Sequence, residues 1–308
     1  MKVIFLGTPV FALNCLKEIR NSAHTVAAVV TQSDKVNARG NKIVVGPVKA
    51  YALENGIPVF QFNNISKEGE DVLRSFNADI MVTAAYGQIL KQNILDLCPE
   101  GVINVHASLL PAYRGASPVQ RALINGEKEI GVSIMKTELG VDTGAVCLTD
   151  SIPTYGLENS DDALEKLSFI GGKLLVRALD EIEKKEARFI PQDEKYASYS
   201  GMFKKEDGKI DFSKTSEEVY NFVRGINPSP GAFTHSENGV LKILKVEPCQ
   251  GEGKVGEILV ADPKKGLEVA CGEGSVRILR LKPENGKEMD AKAYLAGKRL
   301  TVGSVLGE

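Results

Sequence analysis

Short apolar runs alternate with segments of helical periodicity through the first half of this chain. The apolar runs at residues 3–6, 26–30, 80–84 and 102–105 are too short for helices and suit buried strands. Between the first two, residues 10–21 carry apolar side chains at helical spacing. This alternation predicts a parallel sheet with helices on both faces. In such sheets, ligands bind outside the carboxyl ends of the strands.

The turn after the first apolar run does not carry a dinucleotide fingerprint. In the Gly-x-Gly-x-x-Gly motif, the second glycine lets the backbone approach a pyrophosphate and the third lets the helix pack closely. Counting from Gly7, those positions hold Pro9 and Ala12. We therefore expect a Rossmann-like α/β fold without a nicotinamide cofactor, and a nicotinamide dehydrogenase is disfavoured.

The pattern changes in the second half of the chain. Residues 190–206 lack periodicity and contain proline and glycine, which is typical of a linker. Beyond them, short apolar runs are separated by glycine turns, and Asn238 with Gly239 is a hairpin signal. We predict a catalytic domain over residues 1–189 and a small OB-like β-barrel domain over residues 207–308.

Charge and cysteine content exclude several classes of protein. The formal net charge is −2, so a polyanion would have to bind local basic patches rather than a basic domain. The five cysteines are scattered without a Cys-x-x-Cys pair, which suits neither a zinc site nor a disulfide framework, and we expect no metal. No apolar run reaches the roughly 18 residues of a membrane span, and the amino terminus lacks a signal-peptide pattern. We therefore expect a cytoplasmic protein without a membrane partner.

Two polar residues stand on one face of the fourth clear strand, near its carboxyl end. Asn104 and His106 are two positions apart, so their side chains leave the strand on the same side. Asp142 lies in a glycine-flanked loop that could carry a carboxylate into the same cleft. Each has a structural alternative. Asn104 and His106 could be buried and bonded to each other or to backbone, and Asp142 could bond to its own turn.

These three types of side chain together suit acyl transfer. An amide N–H can donate to an oxyanion, and an imidazole exchanges protons near neutral pH. A neighbouring carboxylate orients the ring and favours its charged form. No serine or cysteine nucleophile is evident beside His106, because Ser108 precedes leucines and a proline that suggest a pocket wall. The set therefore favours direct transfer of a small acyl group between two bound substrates.

The stretch around Asn104 resembles a known signature. Residues 104–118 read Asn-Val-His-Ala-Ser-Leu-Leu-Pro-Ala-Tyr-Arg-Gly-Ala-Ser-Pro, which is similar to the motif of the 10-formyltetrahydrofolate-dependent formyltransferases. Asp142, within Gly-Val-Asp-Thr-Gly, matches the third catalytic residue of that family at the expected distance. The resemblance implies that 10-formyltetrahydrofolate is the co-substrate and that the transferred group is formyl.

The resemblance also implies a mechanism and a folate pocket. An amine would attack the formyl carbon while Asn104 and protonated His106 stabilise the tetrahedral oxyanion. Asp142 would keep His106 charged and help to relay a proton to N10 of the folate. The pterin is expected against a wall formed by Gln88, Ile89, Leu90, Ser108, Leu109, Leu110 and Pro111.

Two further segments resemble the branch of the family that acts on tRNA. An inserted loop after the second strand carries Lys35, Arg39 and Lys42, and the linker carries Lys204 and Lys205. By resemblance these five residues contact tRNA, the acceptor is initiator methionyl-tRNA, and the reaction serves translation initiation. We expect a monomer. Open alternatives are a formyltransferase for a UDP-amino-sugar, a formyltetrahydrofolate hydrolase and a non-catalytic tRNA-binding protein.

Overall fold

The computed structural model describes residues 1–36, 43–297 and 300–307. The chain forms two compact units, and it contributes three segments to each. The first unit comprises Met1–Pro118, Glu129–Ile152 and Leu164–Ser200, and the second comprises Val119–Lys128, Pro153–Ala163 and Gly201–Glu308. The domain boundaries near residues 189 and 207 stay a prediction.

A seven-stranded sheet is the centre of the first unit. The strands of this unit, in chain order, are β1 (Lys2–Gly7), β2 (Thr25–Thr31), β3 (Lys35–Val36), β4 (Ile43–Val44), β5 (Val59–Gln61), β6 (Ile80–Ala84), β7 (Val102–His106), β8 (Arg114–Gly115), β9 (Glu129–Lys136), β10 (Val146–Pro153) and β11 (Tyr199–Ser200). The sheet order is β10-β9-β7-β6-β1-β2-β5, while β3 pairs with β4 and β8 with β11. Strands β7, β6, β1, β2 and β5 are mutually parallel, which confirms the predicted parallel sheet. Strand β9 is antiparallel to β7.

The helices follow the periodic segments of the sequence. In chain order they are α1 (Val10–Arg20), α2 (Pro47–Glu54), α3 (Ile65–Glu68), α4 (Glu70–Arg74), α5 (Gln92–Leu95), α6 (Pro118–Ile124), α7 (Ser160–Glu183), α8 (Ser216–Ile226) and α9 (Ala291–Gly297). Helix α1 buries Phe11, Leu16 and Ile19 because these residues share one face of the helix. None of the described helices is long and apolar enough to cross a membrane.

Burial of the central strands explains their continuous apolar sequences. Ile4, Phe5 and Leu6 of β1 are fully buried, and so are Met81 and Val82 of β6. A central parallel strand is covered on both faces, so successive side chains are apolar rather than alternating. Each such side chain contributes about 1.5–3 kcal/mol when it leaves water. The rigid sheet that results holds the carboxyl ends of its strands in a defined register.

The second unit contains an antiparallel sheet of six strands. They are β12 (Phe233–Ser236), β13 (Gly239–Cys249), β14 (Ile258–Asp262), β15 (Gly266–Ala270), β16 (Ser275–Pro283) and β17 (Met289–Asp290). The sheet order is β12-β13-β16-β15-β14, with β17 added to β16. Within the described residues its two edges do not pair with each other, so the predicted β-barrel domain has the form of a half barrel. The predicted hairpin is also confirmed, since Ser236 pairs with Gly239, whose φ is +95°.

Candidate active site

The carboxyl end of β7 presents the two polar residues that the sequence placed on one face. Strand β7 lies between β6 and β9. In this register Asn104 pairs with Thr83 of β6. Two residues further on, His106 pairs with Ser133 of β9. The site therefore stands at the edge of the sheet where parallel folds bind their ligands.

Asn104 has its amide orientation set by a neighbouring hydroxyl. The Thr83 hydroxyl donates to Asn104 Oδ1 over 2.8 Å. Because that oxygen is engaged, the amide nitrogen points away from β6. Among the residues that the structure describes, this nitrogen has no hydrogen-bond partner. The half-buried amide can therefore donate to a ligand oxygen.

His106 is buried between two oxygen atoms. Its Nε2 lies 3.1 Å from the carbonyl oxygen of Tyr113. A carbonyl oxygen only accepts hydrogen bonds, so Nε2 carries a hydrogen. Its Nδ1 lies 3.6 Å from Asp142 Oδ2, and the two side chains are only 6% and 17% exposed. Asn104 and His106 thus bond to other groups rather than to each other.

Asp142 reaches this site on the loop between β9 and β10. Its backbone is left-handed, with φ +53°. The carboxylate oxygen Oδ2 accepts a 2.8 Å hydrogen bond from the Gly115 N–H. The carboxylate is therefore bonded to a segment 27 residues away, which differs from a turn aspartate that caps its own loop. One carboxylate, one imidazole and one amide donor converge here.

Two residues that sequence reasoning did not place in the site also belong to it. Arg114 is fully buried, and its guanidinium donates to both carboxylate oxygens of Glu194 over 2.8 and 3.0 Å. This hydrogen bond raises the pKa of Arg114 and lowers the pKa of Glu194. Gln192 accepts from Arg114 and donates to the Asp142 loop. Arg114 lay inside the recognised signature, whereas Gln192 lay in an aperiodic polar segment that carries no local signal.

The residues predicted to line a folate pocket differ in exposure. Gln88 is tied to the first unit through the Ile65 N–H and the Phe62 carbonyl. Leu90 is buried in the apolar core, whereas Ile89 is 77% exposed.

The second part of the predicted wall is the turn after β7. The Ser108 hydroxyl donates to the Ala112 carbonyl over 2.6 Å. The Leu110 N–H donates to the hydroxyl of Ser133 on β9 over 3.0 Å, and the Leu110–Pro111 peptide is cis. The side chain of Leu109 lies close to Gly131. These contacts hold the turn directly beside His106, and its contact with folate stays a prediction.

The residues predicted to bind tRNA fall into two groups. The backbone of Lys35 begins β3, but its side chain lies outside the described residues. Arg39 and Lys42 lie outside them altogether. Lys204 and Lys205 are exposed residues of the second unit. Their contact with tRNA stays a prediction.

In the described residues, one cluster has side chains that could bind a metal ion. It consists of His24, Asp180 and Glu183, at the amino-terminal edge of the sheet. The Met1 amine already contacts it, with its nitrogen 2.5 Å from Glu183 Oε1 and 3.0 Å from His24 Nδ1.

Comparison with known proteins identifies the family. Residues 1–179 match the model of the formyl transferase family, and residues 202–299 match that of the formyl transferase C-terminal domain. A methionyl-tRNA formyltransferase of Citrifermentans bemidjiense is 40% identical over 100% of this chain and 97% of its own length. The chain belongs to the methionyl-tRNA formyltransferase family. A second member, from Geotalea uraniireducens, is 40% identical over 100% of this chain and 98% of its own. The match confirms the resemblance found in residues 104–118, and it makes the chain a one-carbon group transferase.

Solved structures outside this family branch share the fold at lower identity. An N-formyltransferase from Helicobacter canadensis, in complex with folinic acid and dTDP-3-aminofucose, aligns with a TM-score of 0.68 and 20% identity. The alignment covers 94% of this chain and 100% of that one. HypX from Aquifex aeolicus, in complex with tetrahydrofolic acid, aligns with a TM-score of 0.63 and 13% identity over 99% of this chain and 50% of its own. Both show the formyltransferase fold.

Proposed function

We propose that this chain transfers the formyl group of 10-formyltetrahydrofolate to the α-amine of initiator methionyl-tRNA, for translation initiation. The observation that carries the proposal is the meeting of Asn104, His106 and Asp142 at one edge of the sheet. This site occurs in a chain that matches methionyl-tRNA formyltransferases from end to end. An oxyanion donor and a proton carrier are what direct acyl transfer to an amine requires.

The reaction joins the amine nitrogen to the formyl carbon and then breaks the bond between that carbon and N10 of the folate. Attack converts the formyl oxygen to an oxyanion. The Asn104 N–H group stabilises that charge by donating a hydrogen bond, since Thr83 occupies the amide oxygen. Collapse of the intermediate restores the carbonyl and releases tetrahydrofolate.

His106 serves as second oxyanion donor and proton carrier in this scheme, through Nδ1, which at 3.6 Å from Asp142 Oδ2 lies beyond hydrogen-bond distance and keeps its N–H for the ligand. The two atoms that face its ring, Tyr113 O and Asp142 Oδ2, both accept hydrogen bonds. This arrangement suits an imidazolium with a hydrogen on each ring nitrogen. The attacking amine loses a proton and N10 gains one. Asp142 stabilises the charged ring and helps to carry that proton.

The folate pocket is proposed over two segments of the first unit. The turn of Ser108, Leu109, Leu110 and Pro111 directly follows β7, and this position supports its role as the wall of the pocket. Ile89 supplies an exposed apolar side chain, while Gln88 and Leu90 anchor that segment to the unit.

The acceptor is proposed to bind through local cations, because the whole chain is slightly acidic. Lys35, Arg39 and Lys42 of the inserted loop and Lys204 and Lys205 are the candidates. Lysine and arginine contacts to phosphates provide most of the sequence-independent affinity for nucleic acids. Initiator tRNA is a cytoplasmic substrate, so we propose a cytoplasmic enzyme. The three catalytic residues come from one chain, so a monomer suffices.

Formylation of charged initiator tRNA by the purified protein tests the proposal. Radiolabelled 10-formyltetrahydrofolate is supplied with methionyl-tRNA, with a UDP-amino-sugar, or without acceptor. We expect label on methionyl-tRNA alone, and labelling slower by about 100-fold or more with Asp142→Asn. Label on the sugar, release of formate without acceptor, or folate binding without transfer would each replace the proposal with one of the alternatives.

A further inference from the structure

The loop that carries Asp142 is held from outside by one glutamine side chain. Residues 137–145 connect β9 to β10 without regular structure, and Leu139 and Val141 are 63% and 57% exposed. Asp142 has a left-handed φ, a conformation that few residues other than glycine, asparagine and aspartate adopt. The Gln192 Nε2 donates to the carbonyl oxygens of Asp142 and Gly144, each over 2.8 Å. Gln192 lies 50 residues further along the chain than Asp142.

Gln192 is itself held by Arg114. The Gln192 Oε1 accepts hydrogen bonds from Arg114 Nε over 3.0 Å and Nη2 over 2.9 Å. An amide side chain has two N–H donors and one oxygen with two lone pairs. All four are used here, so this amide has one orientation. Arg114 is fully buried and is also paired with Glu194, and both contacts restrain its guanidinium.

The short strand β8, which contains Arg114, also contacts the carboxylate of Asp142. Gly115 follows Arg114 in β8, and its N–H donates to Asp142 Oδ2. Strand β8 pairs in turn with β11, where Tyr199 lies opposite Arg114 and Ser200 opposite Gly115. The main chain of Asp142 is thus held through Gln192, and its carboxylate through Gly115.

We propose that Gln192 is a positioning residue, whose amide holds the Asp142 loop so that the carboxylate faces His106. Gln192 touches no reacting atom in this scheme. Its effect is on geometry, and a displacement of about 1 Å in a catalytic group can lower turnover by about 100-fold. The kinetic part of this inference rests on the proposed formyl transfer, whereas its structural part does not.

Two substitutions at Gln192 distinguish the loss of its N–H donors from the effect of an added negative charge. Gln192→Glu keeps the contact with Arg114 but replaces both N–H donors with an oxygen that faces two carbonyls. Gln192→Leu removes the same donors without adding charge. We expect both to lower kcat by about 10- to 100-fold, with the KM values for folate and methionyl-tRNA unchanged. The control is Gln250→Glu, the same change at an exposed residue of the second unit, with kcat as in the parent.

Coupling to Asp142 distinguishes positioning from general stability. In an Asp142→Asn background, Gln192→Glu should lower kcat little further, because the carboxylate that it positions is already gone. Independent effects that multiply would overturn the proposal, and so would parental kcat in both Gln192 variants.

A readout without catalysis separates this inference from the function itself. The Gly115 amide resonance in a ¹H–¹⁵N spectrum reports the contact with Asp142 Oδ2. We expect it to shift in Gln192→Leu and in Asp142→Asn and to stay in place in Gln250→Glu. An unmoved Gly115 resonance in Gln192→Leu contradicts the positioning role. Absence of formylation by the parent protein, with the shift present, contradicts only the proposed function.

Discussion

At the scale of single residues, the site depends on which atoms are already engaged. Thr83 occupies the oxygen of Asn104 and so leaves its N–H group for a ligand. Acceptors face both nitrogens of His106. The identities of these side chains alone would permit other roles. Their hydrogen-bond partners favour the proposed roles, which are oxyanion stabilisation for the amide and proton transfer for the imidazole.

Replacing either Asn104 or Asp142 should abolish most of the turnover. We expect Asn104→Ala and Asp142→Asn each to lower kcat by about 10²- to 10³-fold, the usual loss for an oxyanion donor. Single-turnover formylation of methionyl-tRNA measures the chemical step. Asp150→Asn, at an exposed position of β10, is the matched control and should keep parental kcat. Near-parental turnover in both active-site variants would exclude the assigned roles.

At the scale of elements, residues 190–200 are hydrogen-bonded to other segments of the first unit. Ile190 and Val146 exchange two backbone hydrogen bonds of 2.9 Å. The Ser200 hydroxyl donates to the carbonyl of Ser117 over 2.6 Å. These contacts carry Gln192 and Glu194 to Arg114. Short backbone pairings between distant segments thus support the loop that carries Asp142.

Substitution of Gly115 tests whether β8 and β11 pack as closely as the structure shows. Its φ is +112°, and a Cβ added there would lie 2.5 Å from the carbonyl oxygen of Ser200. Gly115→Ala should lower the free energy of unfolding by at least about 1–3 kcal/mol and reduce kcat as well. Gly201→Ala is the control, because no atom lies within 4 Å of its added Cβ. Urea denaturation measures both variants, and equal stabilities would refute the close approach.

The ion pair between Arg114 and Glu194 predicts a pH dependence of stability. The hydrogen bond from Arg114 holds the pKa of Glu194 below its ordinary value of 4.5. A lowered folded-state pKa means that the contact stabilises the fold above that ordinary value and that this contribution is lost as the pH falls through the folded-state pKa. Glu194→Gln should therefore be less stable than the parent at pH 7, and the gap should narrow at pH 3. An equal gap at both pH values in denaturant titrations would contradict this.

At the scale of the whole molecule, burial makes most of the thiols inert. Burial raises the pKa of Cys15 to about 12 and those of Cys98 and Cys271 to about 11. Only the thiolate reacts with disulfide reagents. At pH 8 the native protein should therefore react first at the half-buried Cys147 and Cys249, and in denaturant at all five cysteines. Mass mapping of labelled peptides identifies the sites, and rapid native labelling of Cys15 would contradict its burial.

The choice of acceptor depends on several parts of the chain, because the residues proposed to contact tRNA lie far apart in sequence. Arg39→Ala should raise the KM for methionyl-tRNA and leave kcat and the KM for folate unchanged, because a phosphate contact adds affinity without entering the reaction. Steady-state kinetics at two salt concentrations measure this, with a weaker salt dependence in the variant. An unchanged KM for methionyl-tRNA would show that Arg39 is not one of the tRNA contacts.

The parallel sheet, a separate β-rich second domain and the types of side chain at the site could be predicted from the amino-acid sequence, whereas the open half barrel in place of a closed barrel could not. Apolar periodicity is local, and strands of a parallel sheet end at one edge, so the place of Asn104 and His106 followed from spacing. The hydrogen bonds that hold the site in place arise only from long-range contacts in the folded chain. Gln192 bonds to residues 50 and 78 positions away, in Asp142 and Arg114. A polar residue in an aperiodic segment looks solvated until the fold brings its partners to it, because hydrogen bonds between distant segments leave no periodic trace in the sequence.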